Sequence, residues 1–195
     1  MDMKQKGRSW GLMVLVCLMV IIAGSVFISP GCANPPKTLD RSITRPQVIV
    51  NPDTIRLGVA KLMGTNIVFE GAGFKAGDSI FITLLGPNET KAIVAEAVIQ
   101  PDGTFKSEVG ESSAAKLAKA MEILRAEIAF NEKFESIIVI TKPPIPEGVY
   151  TVKVTSMLSN LTAETKLMVK GPSVIDSLKD WIGKLTGKIQ YKKGK

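Results

Sequence analysis

Two alternating apolar runs joined by a glycine-rich turn constrain the fold of this chain more than any other feature. The stretch from Asn66 to Leu85 reads NIVFEGAGFKAGDSIFITLL. In its second half Ile80, Ile82 and Leu84 alternate with other residues, and a period of two is typical of β-strands. The glycines between the runs permit turn conformations that residues with side chains resist. We therefore predict a hairpin here, at the centre of a small β-sandwich, with Phe74 closing one end of its core.

Further short runs of the same kind flank this stretch. Turn signals such as Pro101-Asp102-Gly103, an Asp-Gly hairpin signal, separate them. The additional predicted strands lie near residues 48–50, 90–99, 104–107, 136–141, 149–154 and 164–170. The pattern predicts a mainly β fold of about seven strands.

One segment within the β region has helical periodicity instead. Between residues 111 and 131, Leu117, Met121, Leu124 and Ile128 recur at the spacing of one helix face. This predicts an inserted amphipathic helix, whose apolar stripe packs either on its own domain or on a partner.

The arrangement of these motifs resembles a known domain type. The segments VNPDTIRLG, NIVFEGAGFKAGDSIFITLLGP, DGTF, PEGVYTVKV and KLMV resemble the immunoglobulin-like domains of the IPT/TIG type, common in bacterial surface and periplasmic proteins. The resemblance covers about residues 46–171, apart from the inserted helix. It implies an immunoglobulin-like β-sandwich in which Tyr150 forms a tyrosine corner, its hydroxyl bonded to an upstream backbone group.

The N-terminus is predicted to bring the chain to a membrane. No charged residue interrupts Trp10 to Ser29, and a helix of that length spans about 30 Å, the thickness of a bilayer core. The basic residues before it favour the cytoplasmic side, so everything after Ser29 is expected outside. Residues 1–31 are therefore a signal peptide or a transmembrane anchor.

The residues that follow leave two forms of anchorage open. Ile28 to Cys32 resembles the lipobox of bacterial lipoproteins, which implies an acylated Cys32 at the start of the mature chain. Otherwise residues 10–29 remain as a transmembrane helix. Residues 32–45 are polar and proline-containing and are interpreted as a tether.

A second amphipathic helix, followed by a basic tail, is predicted at the C-terminus over residues 172–195, with Ser173 and Asp176 as its N-terminal cap. An apolar stripe with a tryptophan and flanking lysines is typical of a helix on anionic lipid, and docking on the domain or a partner is the alternative. The candidate contact residues are Trp181, Ile182, Leu185, Lys184, Lys188, Lys192 and Lys193.

Catalytic and metal chemistry have little support. The chain has no histidine, and its two cysteines precede the β region. Ser113-Ala-Ala-Lys116 matches the Ser-x-x-Lys pattern of some hydrolases, without the companion motifs. Asp53, Asp78 and Asp102 lie in predicted turns, which they are expected to stabilise rather than bind calcium. We expect no cofactor and no metal.

The net charge of +7 does not indicate a nucleic-acid partner, because the surplus lies at the two ends and the middle is nearly neutral. The sequence therefore predicts a non-catalytic, membrane-anchored binding or scaffold module on the extracytoplasmic side of the cell envelope. Its expected partners are membrane lipid and an unidentified envelope protein or glycan. The alternatives are a subunit of an envelope complex that docks through the C-terminal helix, and a hydrolase using Ser113 and Lys116.

Overall fold

The computed structural model describes residues 36–40, 42–107 and 113–192, excluding the side chains of 113–116. These residues belong to one compact unit, Pro36–Lys195. The predicted anchor over residues 1–31, together with Cys32, lies outside the described residues. Within the described part, no helix combines the length and the apolar composition needed to cross a membrane.

The prediction of a mainly β protein is confirmed, with eleven strands among the described residues instead of about seven. The strands are β1 (Gln47–Asn51), β2 (Thr54–Arg56), β3 (Val68–Ala72), β4 (Ser79–Leu85), β5 (Lys91–Val98), β6 (Phe105–Ser107), β7 (Ala126–Phe130), β8 (Ser136–Ile140), β9 (Gly148–Ser156), β10 (Thr162–Lys170) and β11 (Ile189–Tyr191). The helices are α1 (Val59–Met63), a 3-10 turn (Pro87–Glu89), α2 (Ser113–Leu124) and α3 (Val174–Leu185).

Two sheets share one core. One has the strand order β1-β3-β6 and the other β2-β10-β9-β4-β5, and all pairs in them are antiparallel except β2 with β10. In β9 the predicted alternation holds, since Tyr150, Val152 and Val154 are buried while the residues between them are partly exposed. Buried side chains of both sheets, such as Phe69 and Phe105 on one and Leu167 on the other, form a single cluster.

The predicted hairpin between Asn66 and Leu85 is wrong, because its two strands lie in different sheets. β3 pairs with β1 and β6, whereas β4 pairs with β5 and β9. Gly73 and Gly77, at φ +81° and +75°, turn the chain across the core. Phe74 is buried between them and meets the ring of Phe105 edge-on at 5.5 Å, as expected of a residue that closes the core.

The turn at Asp102-Gly103 also joins different sheets. It leads from β5 in the larger sheet to β6 in the smaller one, so the predicted hairpin is wrong here too. Asp102 accepts hydrogen bonds from the backbone and hydroxyl of Thr104 at 3.0 and 2.7 Å. The turn itself is therefore present, but it crosses the core.

The inserted helix is shorter than predicted. α2 ends at Leu124, and Arg125 takes a left-handed conformation with φ +51°. Ile128, placed on the helix by its spacing, instead lies in β7, which forms a hairpin with β8. β11 pairs in parallel with β8, so these strands make a third sheet of order β11-β8-β7. Strand pairing, which the local spacing does not report, overrides the helical period here.

The stripe of α2 packs on its own domain. Met121 and Leu124 of the predicted stripe are buried, and Leu124 belongs to the central core cluster together with Ala120 and Ile123. The helix lies against β5 of the larger sheet, and Lys119 reaches β6 of the smaller one. α2 therefore covers the side of the core between the edge strands β5 and β6.

Candidate contact surface

Local sequence determines where α3 begins. The Ser173 hydroxyl accepts a hydrogen bond from the Asp176 amide at 3.2 Å, and the Asp176 carboxylate accepts one from the Ser173 amide at 3.0 Å. This is the predicted capping box, which satisfies donors that a helix start leaves unpaired. The hydrogen bond from the Ser173 side chain lowers the pKa of Asp176, against the effect of burial and with help from nearby positive charges.

The acidic face of α3 docks on the domain. Asp180 accepts hydrogen bonds from the amides of Val59 and Ala60 at 2.9 and 3.1 Å. These donors open α1, whose N-cap residue, Gly58, has no side chain to cap them. Asp176 is buried, and its Cβ lies close to Gly58. One turn beyond Asp180, Gly183 leaves room for Ile189, whose Cδ1 lies 2.6 Å from where a Cβ on Gly183 would be.

The apolar face of α3 consequently points to solvent. Six apolar side chains of this helix are between 48 and 87 % exposed. They are Val174, Ile175, Leu178, Trp181, Ile182 and Leu185, and we call them the α3 apolar face. This is the reverse of the usual arrangement, in which an amphipathic helix buries its apolar side and exposes its polar one.

Positive charge surrounds this face, while both carboxylates of the helix are turned away from it. Lys179, Lys184, Lys188 and Lys192 are exposed. The Lys184 ammonium lies 4.5 Å from the centre of the Tyr191 ring. Lys192 lies 3.9 Å from Glu127 in an exposed ion pair. Of the predicted contact residues, Lys193 lies outside the described residues, and the others belong to α3 or to the segment just after it.

The third sheet packs against the inner side of α3, where Gly183 lies. Ile189 is buried next to Gly183 of α3, and the register places Ile138 and then Ile128 on the same face of the sheet. Ile128 and Phe130, on the outer strand β7, are exposed. Apolar side chains therefore occur both on α3 and on the sheet face against which it ends.

Two of the three predicted turn aspartates, Asp78 and Asp102, accept hydrogen bonds from turn residues. Asp78, buried at the end of the Gly73–Gly77 turn, accepts hydrogen bonds from the Ser79, Leu158 and Ser159 amides and from the Ser159 hydroxyl. Burial acts to raise its pKa, but these hydrogen bonds outweigh it and lower the pKa to about 2. Asp53 pairs with Lys37 at 3.5 Å. Among the described residues, no group of three or more potential metal ligands converges.

A buried lysine was missed by the sequence reasoning. Ser113 and Lys116 begin α2, and their side chains are outside the described part. One turn on, the Lys119 ammonium is buried 3.4 Å from the Ser107 hydroxyl, with the Ser107 and Ile67 carbonyls at 3.3 and 3.5 Å. Burial lowers the pKa of Lys119 to about 8. Ser107 and Lys119 are only 5 and 6 % exposed, so the pair offers no face to a substrate.

The second half of the predicted tether is bound to the domain. Asn51 and Lys37 exchange two hydrogen bonds, from the Lys37 amide at 2.8 Å and to its carbonyl at 3.0 Å. Gln47 and Asp40 make a similar reciprocal pair at 3.0 and 2.6 Å. The chain is therefore fixed along β1 from Lys37 onward.

One signal in the sequence could have shown which side of α3 faces inward. Asp176, Asp180 and Gly183 recur at helical spacing opposite the apolar stripe. A stripe of two acids and a glycine is suited to capping a neighbouring helix at close approach. In comparisons with known proteins, the chain matches no model of a protein family and no curated protein sequence.

Proposed function

We propose that this chain is a non-catalytic, membrane-anchored binding or scaffold module on the extracytoplasmic side of the cell envelope, built on an immunoglobulin-like domain. The observation that carries the binding role is the α3 apolar face, which the domain leaves exposed to solvent. Contiguous exposed apolar surface is uncommon on monomeric soluble domains and marks contact sites.

The strand connections support the immunoglobulin-like assignment. β1 and β2 follow each other in the chain but join opposite sheets, and the links from β3 to β4 and from β5 to β6 cross the core. Tyr150 is fully buried, and its hydroxyl donates to the Pro146 carbonyl at 2.8 Å. This is the bond expected of a tyrosine corner.

The rigid mounting of α3 supports a contact role. The capping box orders its first turn, and the two hydrogen bonds to Asp180 attach its middle to α1. A helix held in this way loses little conformational freedom when a partner covers its free face, which favours binding.

Membrane anchorage rests on the sequence. The uncharged run from Trp10 to Ser29 and the lipobox-like segment ending at Cys32 support it. Either anchor confines the domain to a surface, so weak contacts gain from high local concentration. The same α3 apolar face suits the second candidate function, a subunit of an envelope complex docked through this helix.

Protease treatment of spheroplasts tests the proposed location. The full chain should sediment with membranes and be degraded by protease added outside intact spheroplasts, as an extracytoplasmic domain must be. Resistance until the membrane is lysed, with a cytoplasmic marker protein behaving in the same way, would place the domain inside and contradict the proposal.

A further inference from the structure

We propose that the α3 apolar face lies on an anionic lipid surface and orients the domain on the membrane. The inference rests on the proposed anchorage and names the partner of the same contact surface. It follows from three features: where the described chain begins, how charge is distributed around α3, and which end of the sheets carries the helix.

The described chain begins at the end of the domain that carries α3. Lys37 is bonded to Asn51 and lies 3.5 Å from Asp53, whose carbonyl accepts from the Met168 amide at 2.8 Å. Two residues farther along β10, the Lys170 carbonyl accepts from the Leu57 amide at 3.0 Å, and α1 and α3 follow. Two residues of strand correspond to about 7 Å. We call this the α3 end of the domain.

A tether that enters at the α3 end brings that end near the membrane. The segment between Cys32 and Lys37 is short, and the chain is bound to β1 from Lys37 onward. At about 3.5 Å per residue, the five residues from an acylated Cys32 reach less than 20 Å, and the eight residues from a membrane helix ending at Ser29 reach less than about 30 Å. The anchor therefore keeps the α3 end close to the bilayer.

Charge around the helix favours lipid headgroups over an apolar protein groove. Lys179, Lys184 and Lys188 are exposed around the apolar face, whereas Asp176 and Asp180 are bound on the opposite side. Basic residues beside an apolar face with a tryptophan fit an interfacial helix, which buries its apolar side chains while lysines contact anionic headgroups. A protein groove would need acidic residues to match these lysines.

The opposite end of the domain would then point away from the membrane. β10 starts at Thr162, next to the turn that binds Asp78, and ends at Lys170 at the α3 end. Its nine residues span about 30 Å. Lys75, exposed in the turn before Asp78, therefore lies far from α3 and provides a control position.

Tryptophan fluorescence of the full chain tests the inference. Trp10 and Trp181 are the two tryptophans, so Trp10→Phe makes Trp181 the reporter. The variant is reconstituted in vesicles of phosphatidylcholine with or without phosphatidylglycerol, containing lipids brominated on their acyl chains. Trp181 should be quenched by the brominated lipids and shielded from aqueous acrylamide when phosphatidylglycerol is present.

Lysine variants measure the electrostatic part. The quenching of Trp181 reports the equilibrium constant between the lipid-bound and free states of α3. Each lysine near an anionic surface changes such a constant about fivefold. The double variant Lys179→Ser, Lys188→Ser should therefore lower it about 25-fold. Lys75→Ser should leave it unchanged.

Three results would overturn the proposal. If Trp181 stays open to acrylamide in chains that remain anchored, α3 does not touch lipid although the anchorage stands. If Trp181 is shielded from acrylamide but not quenched by brominated lipid, a second copy of the chain covers the face. If the chain fails to associate with the vesicles at all, both this inference and the proposed anchorage are wrong.

Discussion

Replacing Asp180 by alanine should weaken the docking of α3 on the domain. The substitution removes the acceptor of the Val59 and Ala60 amides, which have no other cap because Gly58 precedes them. Loss of a helix cap costs about 0.5–2 kcal/mol, and hydrogen bonds to a charged acceptor lie at the upper end. We therefore expect the free energy of unfolding to fall by about 2 kcal/mol. For a domain of this size, that lowers Tm by roughly 6 °C.

Urea denaturation and amide hydrogen exchange on the unit Pro36–Lys195 measure this effect. Exchange at the Val59 and Ala60 amides should accelerate about 30-fold, the factor that corresponds to about 2 kcal/mol of local opening. Asp180→Asn keeps one acceptor oxygen and should show about half the loss of stability. Glu132→Ala, an exposed loop residue, is the matched control and should stay within about 0.5 kcal/mol. If Asp180→Ala behaves like Glu132→Ala in both assays, α3 is not docked through its acidic face.

Three further substitutions test the buried polar groups. Tyr150→Phe removes the bond to the Pro146 carbonyl and should cost about 1.5 kcal/mol in urea denaturation, whereas Tyr191→Phe, at an exposed position, should cost less than about 0.5. In the folded state the pKa of Lys119 is about 8, against 10.5 in the unfolded chain. Between these two values the unfolded chain keeps a proton that the folded protein has lost. The stability of the wild type should therefore rise relative to that of Lys119→Met as pH increases from 8 to 10.5. With allowance for screening by solvent, the free energy of unfolding should rise by about 2 kcal/mol. If it varies with pH in the same way for both proteins, the reasoning is refuted. The lowered pKa of Asp78 contributes stability above pH 3.8 that is lost as pH falls towards 2, so thermal melts of Asp78→Asn should show a lower Tm at pH 6 and a smaller difference from wild type near pH 2.

Local patterns predicted local structure well in this chain. The alternation in β9 and the capping box at Ser173 depend on residues a few positions apart, and both are present in the structure. The Tyr150 bond also spans only four residues, and it was expected from a resemblance in sequence motifs.

Features that depend on distant residues could not be predicted in the same way. Strand alternation identified the two runs between Asn66 and Leu85 but could not show that β3 and β4 pair with different neighbours. The period that placed Ile128 on a helix ignored its pairing with Ile138 in β8. Both strand pairings depend on contacts between segments that are far apart in the sequence, and a pattern within a short stretch of sequence does not contain that information.

The candidate contact residues were identified as a stripe, but their orientation was not. Helical spacing grouped Trp181, Ile182 and Leu185 on one face, and it applies equally to a buried or an exposed face. The orientation of α3 depends on Gly58, which is the N-cap of α1 and has no side chain. Asp180 of α3 therefore accepts the hydrogen bonds from the first amides of α1. That contact joins residues more than one hundred positions apart.

The intact mass of the chain extracted from membranes tests whether this protein is an anchored module. The mass should correspond either to a chain that begins at an acylated Cys32 or to one that retains Met1 to Gly31 as a transmembrane anchor. A chain that begins after Gly31 without lipid, recovered in the soluble fraction, would show that nothing holds the domain at the membrane and would contradict the proposed function.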